Sequence, residues 1–190
     1  MVKVYAVRVG DKYGPEYEEK LREKLPNIQF INQSEDPFLR QWNKLRFMNM
    51  DIDEPICVID IDIELTNDYM ELFEYPIERG EFVSIPAWWK DTWVETYKLN
   101  GGFYKYFPKD CKYIHDKFVK DPQKWTTFYV DNGTTVGPIN GEQYFVEDSV
   151  KERMKLKLVP EDWVQRGRDG KFLDDGTVKL VHHSWRINKS

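Results

Sequence analysis

The sequence predicts an α/β fold, and three observations support that prediction. Short runs of β-branched and aromatic residues alternate with helical patterns through the first third of the chain, which is typical of strand–helix–strand units with right-handed crossovers. The run Ile56–Asp60 is apolar up to its last residue, as are strands buried on both faces of a sheet. The chain has 190 residues, 41% of them hydrophobic, which is enough for one domain with its own core.

Four elements are predicted before this apolar strand. In chain order they are a strand at Lys3–Val9, a helix at Pro15–Leu25, a strand at Ile28–Ile31 and a helix that begins at Ser34–Pro37. The second helix places four apolar residues on one stripe, namely Phe38, Trp42, Leu45 and Met48. This stripe is expected to pack against the sheet.

The elements after the apolar strand are less regular. Asn67 is expected to cap a short helix over 68–74. Strands are predicted at Glu81–Trp89, Gly101–Phe107 and Met154–Val159, and helices at Cys111–Val119 and Glu142–Lys151. The segment Lys179–Trp185 is predicted to be a strand or a turn.

Composition excludes several classes of function. The net charge of −5 gives no basic field for nucleic acid or an anionic membrane. Two cysteines, Cys57 and Cys111, make a disulfide scaffold improbable and favour a reducing compartment. Arg8 interrupts the first apolar run, which is too short for a signal-peptide core, and no run approaches the ~18 residues of a membrane span. We therefore expect a single cytoplasmic domain over 1–190.

The triplet Asp-Ile-Asp occurs twice, at Asp51–Asp53 and at Asp60–Asp62. The first copy precedes the apolar strand and is interpreted as a solvated acidic turn. The second copy follows the strand, at the carboxyl end where open α/β sheets bind ligands. In an extended segment Asp60 and Asp62 would point the same way, with Glu64 as a possible third carboxylate. Carboxylates this close repel one another unless a cation lies between them, so a divalent metal site is predicted here. The alternative is a structural role in which the two aspartates cap turns.

Three other segments carry candidate binding residues. Gly101 and Gly102 begin a strand where the backbone can approach a ligand closely. Glu142 and Gln143 begin a helix and can form hydrogen bonds with sugar hydroxyls. Two adjacent histidines, 182 and 183, lie near the C-terminus, and imidazole beside carboxylates suits a borderline ion such as Mn²⁺.

Taken in order, these segments resemble the metal-dependent glycosyltransferases of the GT-A fold, in particular the glycogenin and lipopolysaccharide galactosyltransferase kind. The matching segments are Tyr5–Tyr13 (first nucleotide-binding strand and loop), Trp42–Met50 (helix before the metal motif, with Lys44 and Arg46), Cys57–Leu65 (Asp-x-Asp strand), Asn100–Gly102 (Asn-x-Gly turn), Glu142-Gln143 (Asp-Gln in the family) and His182 (metal-binding histidine). The resemblance covers most of the chain.

The resemblance implies a GT-A, Rossmann-like fold with a mixed central sheet flanked by helices. It implies a nucleotide-binding half over about 1–65 and a sugar and acceptor half over about 66–190. The implied activity is transfer of a sugar, with retained configuration, from a UDP-sugar to a glycan or glycoprotein acceptor. Mn²⁺ or Mg²⁺ would be held by Asp60, Asp62 and His182, and the catalytic candidates are Glu142 and Gln143. The implied donor-binding residues are Ala6, Val7, Asp11, Tyr13, Lys44, Asp60, Ile61, Asp62, Asn100, Gly101, Gly102 and Arg186.

The sequence also departs from the family pattern. The family's His-Phe-x-Gly is replaced by the segment His182–Arg186, in which Arg186, or Lys189 beyond it, takes the place of a family lysine. Two alternatives remain at this point. One is a non-catalytic nucleotide- or sugar-binding domain. The other is a phosphatase of the haloacid-dehalogenase kind, which also carries Asp-x-Asp after an apolar strand.

Overall fold

The computed structural model describes residues 1–87, 97–167 and 175–183. Its strands, numbered in chain order, are β1 Lys3–Val7, β2 Gln29–Ile31, β3 Ile56–Ile59, β4 Ile63–Leu65, β5 Glu81–Pro86, β6 Leu99–Tyr106, β7 Lys155–Leu158, β8 Val164–Arg166 and β9 Leu180–His182. Its α-helices are α1 Pro15–Lys24, α2 Met70–Phe73, α3 Pro108–Lys120, α4 Pro122–Asp131 and α5 Glu142–Arg153. Short 3₁₀ helices lie at Arg40–Asn49, Pro138–Gly141 and Glu161–Trp163. Within these ranges no helix has the length and apolar character needed to cross a bilayer.

The central sheet has six strands in the order β2-β1-β3-β6-β5-β7. β1 is parallel to both β2 and β3, whereas β6 runs antiparallel to β3 and β5. The sheet is therefore mixed, and helices pack on both of its faces. This confirms the α/β fold class with a mixed central sheet.

The core lies on both faces of this sheet, because successive strand residues point to opposite sides. On β3, Ile56 and Val58 belong to one apolar cluster, which includes the Trp42 and Phe145 side chains. Cys57 and Ile59 belong to the other cluster, which contains Leu21 of α1 and Leu25 immediately after it. All four β3 side chains are buried, as the continuous apolar run predicted.

A second sheet of three strands, in the order β4-β9-β8, brings two distant parts of the chain together. β4 begins immediately after Asp62, and β9 ends at His182. Ile63 pairs with His182 in the antiparallel β4–β9 ladder. Thr66 and Asn67 extend the connection, since the side chains of both donate hydrogen bonds to the Val178 carbonyl oxygen. The small sheet thus fixes a C-terminal histidine beside the turn that follows β3.

Several predicted elements need correction. The segment after Ser34 forms a 3₁₀ helix that begins only at Arg40, because an extended Leu39 precedes it. Asn67 does not cap α2. Tyr69 is the residue before that helix, and the Asn67 amide is engaged by Val178. Residues 60–62 form a turn between β3 and β4 and not a continuous strand.

The strand boundaries also shift slightly, and β1 ends at Val7, two residues earlier than expected. Five elements among the described residues were not predicted. They are the strands β4 and β8, the helix α4 and the 3₁₀ helices Pro138–Gly141 and Glu161–Trp163. Trp88, Trp89 and the segment from Ser184 onwards lie outside the described residues.

Candidate metal centre

The turn after β3 brings the two carboxylates of the second Asp-Ile-Asp copy together. The backbone N–H of Asp60 donates to the Gly102 carbonyl oxygen at 3.0 Å, which fixes the turn against β6. Asp60, Asp62 and His182 each present one ligand atom, and these atoms all lie within 4.8 Å of one another. His182 Nε2 lies 3.2 Å from Asp62 Oδ1 and 3.5 Å from Asp60 Oδ2.

The orientation of the His182 ring is set by Asn100. Asn100 Oδ1 accepts a hydrogen bond from the Gly102 N–H at 2.8 Å, which identifies that side-chain atom as the oxygen. His182 Nδ1 lies 3.0 Å from the same oxygen and must therefore be the donor. Nε2 is then left to face the two carboxylates. A side chain at position 102 would meet this ring, because a Cβ there would lie 2.9 Å from His182 Nδ1.

The remaining carboxylate oxygens are held by two other side chains. Lys44 Nζ donates to Asp60 Oδ1 at 2.9 Å, and the Tyr13 hydroxyl donates to Asp62 Oδ2 at 2.8 Å. Each carboxylate therefore has one oxygen engaged by the protein and one oxygen directed at His182 Nε2. Two carboxylate oxygens and one imidazole nitrogen form a ligand set that suits a divalent metal ion.

The titration behaviour of the ligands agrees with a cation site. Burial alone would raise the pKa of Asp62, but His182 and Tyr13 hold that pKa below its usual range. Burial alone would lower the pKa of His182, but the Asp62 and Asp60 carboxylates raise it. The pocket therefore favours positive charge at its centre, which a divalent ion can supply in place of a proton. The residues present fit the metal that the fold implies.

Lys44 organises the inner wall of the site. Its ammonium group is buried and contacts Asp60 Oδ1, the Gly101 carbonyl oxygen at 2.8 Å and Glu142 Oε2 at 3.3 Å. Burial would lower the Lys44 pKa, but Asp60 and Glu142 raise it, so the side chain stays charged. Burial raises the pKa of Glu142 to about 7, against the opposing effect of Lys44. The Tyr104 hydroxyl lies 3.2 Å from Glu142 Oε1.

Gln143 fixes the glycine turn from the start of α5. Its Oε1 accepts a hydrogen bond from the Gly101 N–H at 3.0 Å. A Cβ at position 101 would lie 3.2 Å from Lys44 Nζ and 3.3 Å from Gln143 Cβ, so the backbone approaches both side chains closely. The Asn100 side-chain nitrogen is buried and has no hydrogen-bond partner among the described residues. It is a donor for which a bound oxygen atom would be the acceptor.

Two cavities adjoin this cluster. The smaller, of about 170 Å³, contains the predicted metal ligands together with Lys44, Asn100, Gly101, Glu142 and Gln143. The larger, of about 550 Å³, has mostly apolar walls. Lys12, Tyr13, Gln41, Ile139 and Asn140 line both cavities and so form their shared boundary.

Most residues that the sequence analysis singled out lie at these cavities. Val7 and Ile61 line the larger cavity, and Tyr13 lines both. Ala6 is fully buried in β1, and Asp11 is exposed, so neither contributes to the cavity walls. Arg186 lies outside the described residues.

Glu64 and His183 form a separate pair. Glu64 was a possible third carboxylate of the metal site, but its Oε2 lies 2.7 Å from His183 Nε2 and it is not part of the three-residue cluster. The two histidines therefore contact different carboxylates, as the alternation of an extended strand predicts.

Several cavity residues were not singled out from the sequence. Lys12 lies inside the matched segment Tyr5–Tyr13 but was not named as a binding residue, and Arg40 and Gln41 lie in a segment predicted only as a helix. Residues 136–140 lie in a segment for which no element was predicted. Arg40 has a left-handed φ of 43°, which is uncommon for a residue with a side chain. Its guanidinium group packs over Gly10, where a Cβ would lie 3.2 Å from Nη1. The Trp42 indole N–H donates to the Pro138 carbonyl oxygen at 2.8 Å and anchors the 136–140 segment.

Comparison with known proteins finds similar solved structures but no similar sequence. No protein-family model matches the sequence, and no curated protein matches it significantly. The galactosyltransferase LgtC, solved in complex with donor and acceptor sugar analogs, superposes with a TM-score of 0.63 at 10% identity, over 96% of this chain and 87% of LgtC. Mouse xyloside xylosyltransferase 1 in its apo form superposes with a TM-score of 0.53 at 13% identity, over 95% of this chain and 84% of that enzyme. The chain has the GT-A glycosyltransferase fold.

A third GT-A structure is considerably longer than this chain. The glycosyltransferase GlyE of Streptococcus pneumoniae TIGR4 superposes with a TM-score of 0.59 at 12% identity, over 95% of this chain but 54% of GlyE. For the apo form of GlyE the share of that chain is 38%. The resemblance seen in the sequence is thus confirmed as a likeness to glycosyltransferases, while this chain spans only about half of GlyE.

Proposed function

We propose that this protein is a metal-dependent glycosyltransferase that moves a sugar from a UDP-sugar to an acceptor glycan or glycoprotein, with retained anomeric configuration. The observation that carries the proposal is the convergence of Asp60 Oδ2, Asp62 Oδ1 and His182 Nε2 in the wall of the smaller cavity. The neighbouring structures with this fold are glycosyltransferases.

The side chains that line the two cavities suit the two ends of a nucleotide-sugar. The larger cavity offers apolar contacts from Val7, Val9 and Ile61 and positive charge from Lys12 and Arg40, which suits a nucleoside and its adjoining phosphate. The smaller cavity is lined by amide and carboxylate side chains, which suits a sugar. The diphosphate between the two would lie beside the predicted metal ligands.

The ion would be Mn²⁺ or Mg²⁺, held by Asp60, Asp62 and His182. When bound, it would supply Lewis-acid stabilisation of the negative charge that develops on the leaving diphosphate. In a chain with a net charge of −5, that stabilisation needs a local source of positive charge.

The chain's own residues would position the donor and shape the reaction. Lys44 holds Asp60, Gly101 and Glu142 in fixed relative positions. The orphan Asn100 amide would donate to a donor oxygen, and Glu142 and Gln143 would orient the sugar and stabilise an oxocarbenium-like transition state. Because Glu142 is already engaged by Lys44 and Tyr104, we favour front-face attack by the acceptor over a covalent intermediate on this carboxylate.

The proposed activity also bears on the acceptor and the cellular setting. A glycan or a glycoprotein is the proposed acceptor, because sugar transfer needs a hydroxyl group to receive the sugar. The two cysteines are free and buried, which agrees with a reducing compartment, and we propose the cytoplasm.

A donor-hydrolysis assay tests the proposed function against its alternatives. The purified chain is incubated with a panel of UDP-sugars and Mn²⁺, and free UDP and inorganic phosphate are measured separately. Slow UDP release that disappears in Asp60→Asn and persists in Asp53→Asn supports the transferase. Stabilisation by the donor without UDP release would indicate a binding domain. In a parallel incubation, release of inorganic phosphate from a phosphate monoester such as p-nitrophenyl phosphate would indicate a phosphatase.

A further inference from the structure

Tyr13 connects the two cavities to the metal ligands. It lies in the loop between β1 and α1, its side chain is buried, and it lines both cavities. The ring is held from two sides. The Tyr17 ring packs against it edge-on with centroids 4.8 Å apart, and the Lys12 ammonium lies 4.7 Å from its centroid. These two contacts hold the ring in place, so the position of its hydroxyl group is also fixed.

The hydroxyl binds one oxygen of Asp62 and leaves the other for the metal. It donates to Asp62 Oδ2 at 2.8 Å, while Asp62 Oδ1 faces His182 Nε2 at 3.2 Å. The Asp62 carboxylate is therefore held in an orientation in which Oδ1 lies beside the other two candidate ligand atoms.

Asp60 is arranged in the same way by a different residue. Lys44 engages its Oδ1 at 2.9 Å, and Oδ2 lies 3.5 Å from His182 Nε2. The lysine acts on the first carboxylate as the tyrosine acts on the second. Each carboxylate thus has one oxygen engaged by a neighbouring side chain, and its other oxygen would be offered to a metal ion.

We propose that Tyr13 is a positioning residue for the metal, whose hydroxyl fixes the Asp62 carboxylate so that Oδ1 is presented to the cation. This inference rests on the proposed metal site and assigns Tyr13 a role beyond that of a wall of the nucleotide cavity. Groups that orient metal ligands typically change metal affinity by about 10- to 100-fold when they are removed. The Tyr13→Phe variant removes the hydroxyl and keeps the ring, so it isolates this role.

The test is a Mn²⁺ titration of the whole chain without nucleotide, with free Mn²⁺ followed by electron paramagnetic resonance. Tyr13→Phe is expected to raise the dissociation constant for Mn²⁺ by about 10-fold or more. Tyr129→Phe is the matched control. Tyr129 is buried, its hydroxyl donates to Asp148 Oδ2 at 2.7 Å, and it lines neither cavity. That control should bind Mn²⁺ as the wild type does. Melting temperatures of both variants report whether each remains folded.

The outcomes separate this inference from the proposed function. If the wild type and Tyr13→Phe bind Mn²⁺ equally, the positioning role is wrong while the metal site stands. If both tyrosine variants weaken Mn²⁺ binding to the same extent, the effect is general loosening and the inference is also wrong. If the wild type itself binds no Mn²⁺, the proposed metal-dependent function fails first.

Discussion

The two Asp-Ile-Asp copies have the same sequence and very different surroundings. The side chains of Asp51 and Asp53 are 94% and 80% exposed, and both contact Lys109 across the surface. The side chains of Asp60 and Asp62 are 15% and 13% exposed, and they are held by Lys44, Tyr13 and His182. A carboxylate pair therefore becomes a candidate metal site through the side chains that hold it. The second copy has such side chains around it because it lies at the carboxyl end of a buried strand.

Each copy has its own lysine, and the two lysines are expected to differ most in their contribution to stability. Lys44→Met should lower the free energy of unfolding by about 3–5 kcal/mol, because it leaves the buried Glu142 and the adjacent Asp60 without their cation. Lys109→Met should leave stability unchanged within error, because its partners are solvated. Urea denaturation of both variants checks this. Equal losses in the free energy of unfolding of the two variants would show that the burial of Lys44 makes no difference to stability.

The aspartates should differ next in metal binding. Asp60→Asn should weaken Mn²⁺ binding by about 100-fold or more and abolish UDP release, because it removes one of three protein ligands and a negative charge. Asp51→Asn and Asp53→Asn should keep both properties. The measurement is a Mn²⁺ titration followed by donor hydrolysis. Loss of activity in Asp53→Asn with retention in Asp60→Asn would reverse the assignment of the two copies.

The two adjacent histidines are also expected to differ in Mn²⁺ binding, with a smaller effect than the aspartates. His182→Ala should weaken Mn²⁺ binding by about 10-fold or more, since its Nε2 faces both carboxylates. His183→Ala should preserve Mn²⁺ binding and lower stability by about 1 kcal/mol, because it removes a side chain paired with Glu64. Should His183→Ala raise the Mn²⁺ requirement and His182→Ala not, the register of β9 at the site is wrong by one residue.

The sequence alone predicted the parts of the site that depend on local pattern. The apolar run before Asp60 identified a buried strand, and its carboxyl end identified the ligand edge of the sheet. The glycines at 101 and 102 indicated a close backbone approach, and the structure shows one at His182 and Lys44. These inferences need only the identities of neighbouring residues.

The rest depends on contacts between residues far apart in the chain. The hydrogen bond between Tyr13 and Asp62 joins positions 49 residues apart, and the pairing of β4 with β9 joins segments that are farther apart in the chain. The apolar stripe from Phe38 to Met48 fits both α- and 3₁₀-helical spacing, so the stripe could not distinguish them. The sequence predicts that Asn67 caps the helix that follows it, but the Asn67 side chain instead donates a hydrogen bond to the distant Val178 carbonyl oxygen. No periodicity carries such information.

The most direct test of the account is a thermal-shift comparison of UDP binding with Mn²⁺ and with EDTA. The central claim is that Asp60, Asp62 and His182 hold a divalent ion that links the protein to the diphosphate. We expect UDP at about 100 times its dissociation constant to stabilise the protein by about 2.7 kcal/mol in Mn²⁺ and to have almost no effect in EDTA. Equal stabilisation in both buffers would contradict the claim, because the nucleotide would then bind without the ion.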